Sequence, residues 1–328
     1  MSFVGHFKNK KILVTGNTGF KGSWLSLWLH ILGAKIIGVS KDVPTIPSHY
    51  KLNNKFYLKN EKFDLSNKKL ITKIIKSSKP DYIFHLAAQP IVLESYSDPY
   101  ATYLSNTVGT LNILESLKES NHKCNAILIT SDKCYENINK KVNYKENDRL
   151  GGLDPYSSSK ASAELIIRSY YESYFKTKSS NVRICSARAG NVMGGGDWAK
   201  YRIVPDCMKS WSEGKKVIIR NAKSTRPWQH VLEPISGYLT LAKSLSKDQN
   251  LNGEAFNFGP NSNSSYTVKI VKLIFCKSVK ISTSSIVIMN CIIVESLSSF
   301  GHQESVSAVF SKSFCEYTSI SYSLASVL

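Results

Sequence analysis

Lys11-Ile-Leu-Val-Thr-Gly16-Asn-Thr-Gly19-Phe-Lys-Gly22-Ser-Trp-Leu25 is the stretch that decides the fold. Its first five residues read as a buried strand, and Trp24, Leu27, Trp28 and Ile31 then recur at helical spacing. Gly33 stops that helix. A strand, a glycine-punctuated turn and a helix, in that order, set backbone amides and a positive helix N-terminus at a strand end. The bare positions Gly16, Gly19 and Gly22 let the backbone close on a dinucleotide pyrophosphate there. A turn whose glycines serve only helix packing is the plain alternative, and the strand and helix on either side weigh against it.

Outward from this unit the same alternation continues. Apolar runs recur at residues 35–39, 81–86, 126–130 and 182–187, with helical patterns between them at 100–117 and 157–174. Strands alternating with helices predict an α/β fold, a doubly wound parallel sheet of the Rossmann type. The expected dinucleotide domain is residues 1–190, with some later segments returning to it. From Gly194 the pattern turns irregular, through Gly194-Gly-Gly-Asp-Trp198, an expected strand at 217–220 and Arg226-Pro-Trp-Gln-His230. Residues 191–268 are therefore expected to build a smaller substrate-binding part over the carboxyl ends of the strands. Asp42, some 20 residues past Gly22, is the candidate for the adenosine ribose hydroxyls, favouring NAD over NADP, although a solvated loop aspartate beside Lys41 reads as well. Asp64 and Leu65 are candidates for the adenine, with a helix cap as the alternative.

Composition narrows the function. A chain of 328 residues can bury a sizeable core without disulfides or metals. The formal charge of +19 is spread along the whole chain with no nucleic-acid motif, so no nucleic-acid partner is expected; a basic surface would help to capture an anionic nucleotide. Seven cysteines show no paired or zinc-type spacing, which predicts reduced thiols and no metal site. No signal-like segment opens the chain, and the longest apolar stretch, residues 286–294, falls short of the about 20 residues that span a bilayer. A cytoplasmic protein with no membrane contact is expected.

Two motifs carry chemistry. Thr130-Ser131-Asp132-Lys133 follows a predicted strand, and Asp154-Pro-Tyr156-Ser-Ser-Ser-Lys160 opens a predicted helix on which Tyr156 and Lys160 share a face. Spacing alone proves little, since Tyr174 and Lys178 repeat it. A phenol must lose about 3 units of pKa, ~4 kcal/mol, to act as a base near neutrality, a task for Lys160 and a nicotinamide cation. Asp132 and Lys133 would be idle as a solvated ion pair. Burial moves such a pair towards a neutral acid and a neutral base. His85 and His230 have no partner spacing that marks them as catalytic.

These motifs, with His85-Leu-Ala-Ala-Gln-Pro90, Thr130-Ser-Asp-Lys-Cys-Tyr135, Arg188-Ala-Gly-Asn-Val192, Gly194-Gly-Gly-Asp-Trp-Ala199 and Arg226-Pro-Trp-Gln-His-Val-Leu-Glu-Pro234, resemble the CDP-glucose 4,6-dehydratases of the extended short-chain dehydrogenase/reductase family. The likeness covers about residues 5–267. The dTDP-glucose relatives carry Thr-Asp-Glu where this chain has Ser131-Asp132-Lys133, so Lys133 is the main discriminator of nucleotide class. The resemblance implies a redox-neutral dehydration of CDP-glucose on tightly held NAD, yielding CDP-4-keto-6-deoxy-glucose for the deoxysugars of cell-surface polysaccharide, as in a lipopolysaccharide O-antigen. In it Tyr156 takes the C4 hydroxyl proton with help from Ser131, Lys133 removes the C5 proton and Asp132 protonates the departing C6 hydroxyl. It further implies Thr18, Phe20, Leu86, Ala87, Ala88 and Asn106 along the cofactor. Gln89, Asn191, Trp198, Arg202, Arg226 and His230 are implied at the nucleotide-sugar, arginine suiting its pyrophosphate. Residues 100–117 and the Tyr156 helix resemble the family's dimer-forming helices, implying a homodimer or homotetramer.

After about Val268 the resemblance ends. The remaining chain is serine-rich, lacks Arg and Trp, and carries an apolar stretch, Ile286, Val287, Ile288, Ile292, Ile293 and Val294, with no evident partner. A shifted reading frame would explain residues 269–328, and a divergent working tail is the alternative. Two other functions therefore stand beside the dehydratase: an inactive nucleotide-sugar-binding remnant, and a related NAD-dependent epimerase or reductase. The second is disfavoured, because Ser131-Asp132-Lys133 supplies elimination groups those reactions do not need.

Overall fold

The computed structural model describes residue 3 and residues 5–138, 143–260 and 265–272. The tail on which the reading-frame question rests lies, beyond residue 272, outside the described residues. The chain runs β1 (Lys11–Thr15), α1 (Phe20–Ile31), β2 (Lys35–Ser40), the single turn α2 (His49–Leu52), β3 (Lys59–Lys62), α3 (Lys68–Ser78) and β4 (Tyr82–His85). Then come α4 (Val92–Ser97), α5 (Pro99–Tyr103), α6 (Gly109–Ser120), β5 (Cys124–Ile129), α7 (Pro155–Tyr170) and β6 (Val182–Ala189). After them follow β7 (Val192–Met193), α8 (Ile203–Ser212), β8 (Thr225–Pro227), β9 (Gln229–His230), α9 (Leu232–Leu245), β10 (Ala255–Phe258) and β11 (Ser265–Thr267).

Seven strands form one parallel sheet in the order β10-β6-β5-β4-β1-β2-β3, the doubly wound α/β arrangement the sequence predicts. Both faces are covered, so the central strands read as continuous apolar runs. Alternation sorts their side chains: Ile12, Val14, Tyr82, Phe84, Ile127 and Ile129 pack with α1 and α9, while Leu13, Ile83, Ala126 and Leu128 pack with α3 and α6. The strand order reverses between β1 and β4. A crevice opens there at the carboxyl ends, where ligands bind in such sheets.

After β6 the chain leaves the sheet to build two small ribbons, β7 with β9 and β8 with β11, and returns to it through α9 and β10. The ribbons and α8 share a separate core of Met193, Val204, Trp228 and Val271. The expected strand at 217–220 does not form. Among the described residues no strand pairs with it: Ile218 stands exposed, and Arg220 turns back to donate to the Tyr201 carbonyl at 3.0 Å.

Candidate active site

The glycine loop sits at the crevice. Gly16, at φ +72°, lies so close to the β4 loop that a Cβ would meet the Ala87 nitrogen at 2.7 Å, and a Cβ on Gly22 would meet the Gly16 carbonyl oxygen at 2.0 Å. Only glycine allows either approach. α1 starts behind this loop with no side chain capping its first amides and no acidic residue in its first turn. Those amides are the donors a helix leaves unmade, so the residues present fit a bound pyrophosphate. Thr18 donates its hydroxyl to the Asp42 carbonyl, holding the ends of β1 and β2 together and leaving the exposed Asp42 carboxylate beside the loop.

Other expected cofactor contacts have structural duties. Asp64 accepts from the Ser66 amide at 2.9 Å and pairs with Lys41 at 3.1 Å, but it does not cap α3, whose N-cap is Asn67; Leu65 is buried in the core. Leu86, Ala87 and Ala88 run half-buried beneath Gly16. Asn106, in a π-type turn over Leu104–Val108, is buried; it accepts from the Gln89 amide at 2.8 Å and donates to the Gln89 carbonyl at 3.1 Å and to Ser159 at 2.9 Å. It thereby clamps the β4 loop to α7. Gln89 spends its own side chain in the same way, donating to the Ile91 carbonyl at 3.0 Å and to Thr102 at 2.9 Å.

His85 is likewise structural. Thr110 donates its hydroxyl to the Asn106 carbonyl, so it accepts from His85 Nε2 at 3.0 Å, which leaves Nδ1 to accept from Thr15 at 2.7 Å. Burial, then the Lys160 charge, lowers this imidazole to about 3. The unfolded chain takes up a proton near pH 6.5 that the folded chain refuses. Stability held above pH 6.5 should therefore fall towards pH 3 by ~1.4 kcal/mol per pH unit from this group. Urea midpoints between pH 7 and 4 check this: His85→Gln should show a slope shallower by that amount, and an unchanged slope would contradict it.

The chemical groups converge on a cavity of about 650 Å³ lined by Phe20, Lys21, Ser131, Asp132, Lys133 and Tyr156 on the sheet side and by Asn191, Tyr201, Arg202, Arg220, Arg226 and Trp228 opposite. β5 ends at Ile129, and Ser131 caps a short 3₁₀ turn, Asp132–Cys134, accepting from the Lys133 amide at 3.2 Å and donating to Asp132 at 3.1 Å. Asp154 caps α7 by accepting from the Ser157 amide at 2.9 Å, and Pro155 fits its first turn, so Tyr156 faces inward from a fixed start. Lys133 Nζ lies 5.6 Å from the centroid of the Tyr156 ring. Gly190, at the end of β6, backs Asp132: a Cβ there would sit 3.1 Å from Oδ2.

Burial sets the protonation states. It raises the Asp132 carboxyl against the pull of Lys133 and lowers the Lys133 amine against the pull of Asp132. Both directions favour the neutral acid and neutral base that the sequence demands. Lys160, buried, is lowered to about 8 by burial, with Glu164 opposing. In the protein alone, burial pushes the Tyr156 phenol up to about 12, with Ser131 pulling it down and the Asp132 charge raising it further.

The opposite wall places the expected substrate residues unequally. Asn191, Arg202 and Arg226 line the cavity, Arg202 through a 2.9 Å ion pair with Asp197. Trp198 and His230 stand outside it. The Trp198 carbonyl accepts from Lys209 at 2.9 Å; His230 accepts from the Leu232 amide at 3.3 Å, and burial lowers it to about 4. Sequence reasoning missed Lys21, whose ammonium faces the cavity 6.0 Å from the Tyr238 ring centroid and is lowered to about 8 by burial, then by Lys160 and Arg202. Its place in the first turn of α1, just past Gly19, was the available signal. Glu164 was missed too. It accepts from Arg188 at 2.7 Å, from Ser186 at 2.9 Å and from Thr130, and so braces the strand end that carries Ser131.

Comparison with known proteins agrees with this arrangement. Among the described residues no helix is long and apolar enough to cross a membrane. The family model described as GDP-mannose 4,6 dehydratase matches residues 13–284. A CDP-glucose 4,6-dehydratase of Salmonella typhimurium is 43% identical over 271 residues, 81% of this chain and 75% of that protein. Two solved structures share the fold. An epimerase from Methanothermobacter thermautotrophicus (TM-score 0.72, 25% identity) covers 83% of this chain and 77% of that one. The dTDP-glucose 4,6-dehydratase of Bacillus anthracis in complex with NAD (TM-score 0.67, 26% identity) covers 83% of this chain and 81% of that one. With this loop, this Tyr156 and Lys160 helix and a match across most of its length, the chain belongs to the GDP-mannose 4,6 dehydratase family of extended short-chain dehydrogenases/reductases.

Proposed function

We propose that this chain converts CDP-glucose to CDP-4-keto-6-deoxy-glucose with NAD as a bound cofactor. The observation that carries the reading is the burial of Asp132 and Lys133 side by side on the cavity that also holds Tyr156, with the acid pushed up and the amine pushed down. An elimination needs such a pair and an epimerisation does not. Gly16, Gly19, Gly22 and the first amides of α1 would hold the cofactor's pyrophosphate, with Asp42 at its ribose. When bound, NAD would supply the hydride acceptor for C4 and donor for C6, and a positive charge to offset the burial of Tyr156.

Tyr156 removes the C4 hydroxyl proton, and Ser131, which donates to Asp132 and lowers the Tyr156 phenol, lies beside both. The ketone at C4 acidifies C5. Lys133 takes the C5 proton, and Asp132 gives its own to the C6 oxygen, which leaves as water; neither step needs bulk solvent. Arg202, Arg220 and Arg226, on the wall opposite the sheet, are arginines available to the diphosphate. The same reading makes the protein a cytoplasmic homodimer or homotetramer serving deoxysugar formation for surface polysaccharide, such as a lipopolysaccharide O-antigen.

The test is turnover of purified protein with CDP-glucose and dTDP-glucose, followed by the appearance of the 4-keto-6-deoxy sugar. We expect kcat/KM at least about tenfold higher for the CDP sugar, a difference of ~1.4 kcal/mol in transition-state binding. Equal values or a dTDP preference would remove the nucleotide assignment and leave the elimination chemistry. No product from either would remove both.

A further inference from the structure

The segment that presents Arg202 to the cavity is hydrogen-bonded to the cofactor-binding helix through a buried tryptophan. Trp24, buried in α1, donates its indole Nε1–H to the Gly195 carbonyl at 2.8 Å. His49 lies flat on the indole, with ring centroids 4.4 Å apart and planes 12° apart. Its tautomer follows from its neighbours. Ser23 donates its hydroxyl to the Phe20 carbonyl and so accepts from His49 Nδ1 at 2.8 Å, while Nε2 accepts from Asn53 at 3.2 Å.

The glycines of 194–196 make the fit possible. A Cβ on Gly194 would meet Val231 at 2.8 Å and Phe20 at 3.3 Å, and one on Gly196, at φ +81°, would meet the His49 Cβ at 2.6 Å. Directly after this contact Asp197, itself buried, holds Arg202 at 2.9 Å, and α8 begins at the next residue. We propose that Trp24 is a positioning residue for the nucleotide-sugar: its hydrogen bond to Gly195 locks the Asp197–Arg202 arm to the helix whose N-terminus faces the dinucleotide. The inference rests on the reading of the Arg202 wall as the nucleotide-sugar side.

Trp24→Phe keeps an aromatic ring against His49 while removing the indole donor and part of the buried ring volume. Trp28→Phe, at the other buried tryptophan of α1, controls for lost packing. The arm is read first without substrate, by amide hydrogen exchange over residues 194–202, which should speed up about tenfold in Trp24→Phe and stay unchanged in Trp28→Phe. One buried carbonyl left without its donor has about that effect. The dissociation constant of CDP-glucose should rise about tenfold in Trp24→Phe, while that of NAD stays within about twofold. Unchanged exchange, or parallel weakening of CDP-glucose and NAD, overturns the proposal. A wild-type chain that binds no CDP-glucose overturns the proposed function instead, and the exchange comparison still decides the role of Trp24.

Discussion

Lys133→Ala is expected to stop dehydration while leaving C4 oxidation in place. The variant loses the amine that sits 5.6 Å from the Tyr156 ring centroid, and with it the base for C5, but keeps Tyr156, Ser131 and Lys160. General bases contribute about 10²–10⁴-fold, so turnover to product should fall by that factor. The reduced-nicotinamide absorbance should then accumulate on mixing with CDP-glucose, because the sugar is held at the oxidised stage. In D₂O the little product formed should carry deuterium at C5, because the hydride that reaches C6 is matched by a solvent-derived proton at C5. Product formed at near wild-type rate would remove Lys133 from the mechanism.

Glu164→Ala is expected to cost ~3–5 kcal/mol of stability, because it strands the Arg188 guanidinium in the core. Both partners are almost wholly buried, at 5% and 3% side-chain exposure, and Glu164 also receives Ser186 and Thr130. Arg188 has other partners, the Tyr135 hydroxyl and the Glu146 carbonyl, each at 2.8 Å, but neither carries the opposing charge. Urea unfolding measures the loss. A double replacement, Glu164→Leu with Arg188→Met, should recover most of it, since burying neither charge avoids the desolvation that the pair must offset. A loss below about 1 kcal/mol in the single variant would mean that water reaches the guanidinium.

What the sequence made legible follows from burial on two sides. β1, β2, β4, β5 and β6 lie between covered faces, so their apolar runs announced them. β3, Lys-Asn-Glu-Lys, sits at the sheet edge with exposed side chains and gave no such signal; only its pairing with β2 makes it a strand. Ser131, Asp132, Lys133 and Tyr156 could be found because local chemistry, a strand end and a capped helix, sets each of them. The opposite wall could not be resolved so finely. Whether Trp198 or Asp197 faces the cavity depends on how a glycine-rich turn docks against α1 and His49, and that contact joins segments more than a hundred residues apart. The Glu164–Arg188 pair was hidden for the same reason: its members lie on different elements with no shared periodicity.

The return of the chain to the sheet through β10 has a consequence during synthesis. β6 is complete long before the ribosome has made Ala255–Phe258, the strand that closes its far side. At ~5–20 residues per second the intervening stretch takes several seconds to emerge. Throughout that interval β6 presents an open row of backbone donors and acceptors, and Cys185 and Ala187 wait for α9 to cover their face. The nascent protein therefore passes through a half-finished state whose sticky border points outward, so slow translation across the ribbon-forming region prolongs its greatest exposure to aggregation.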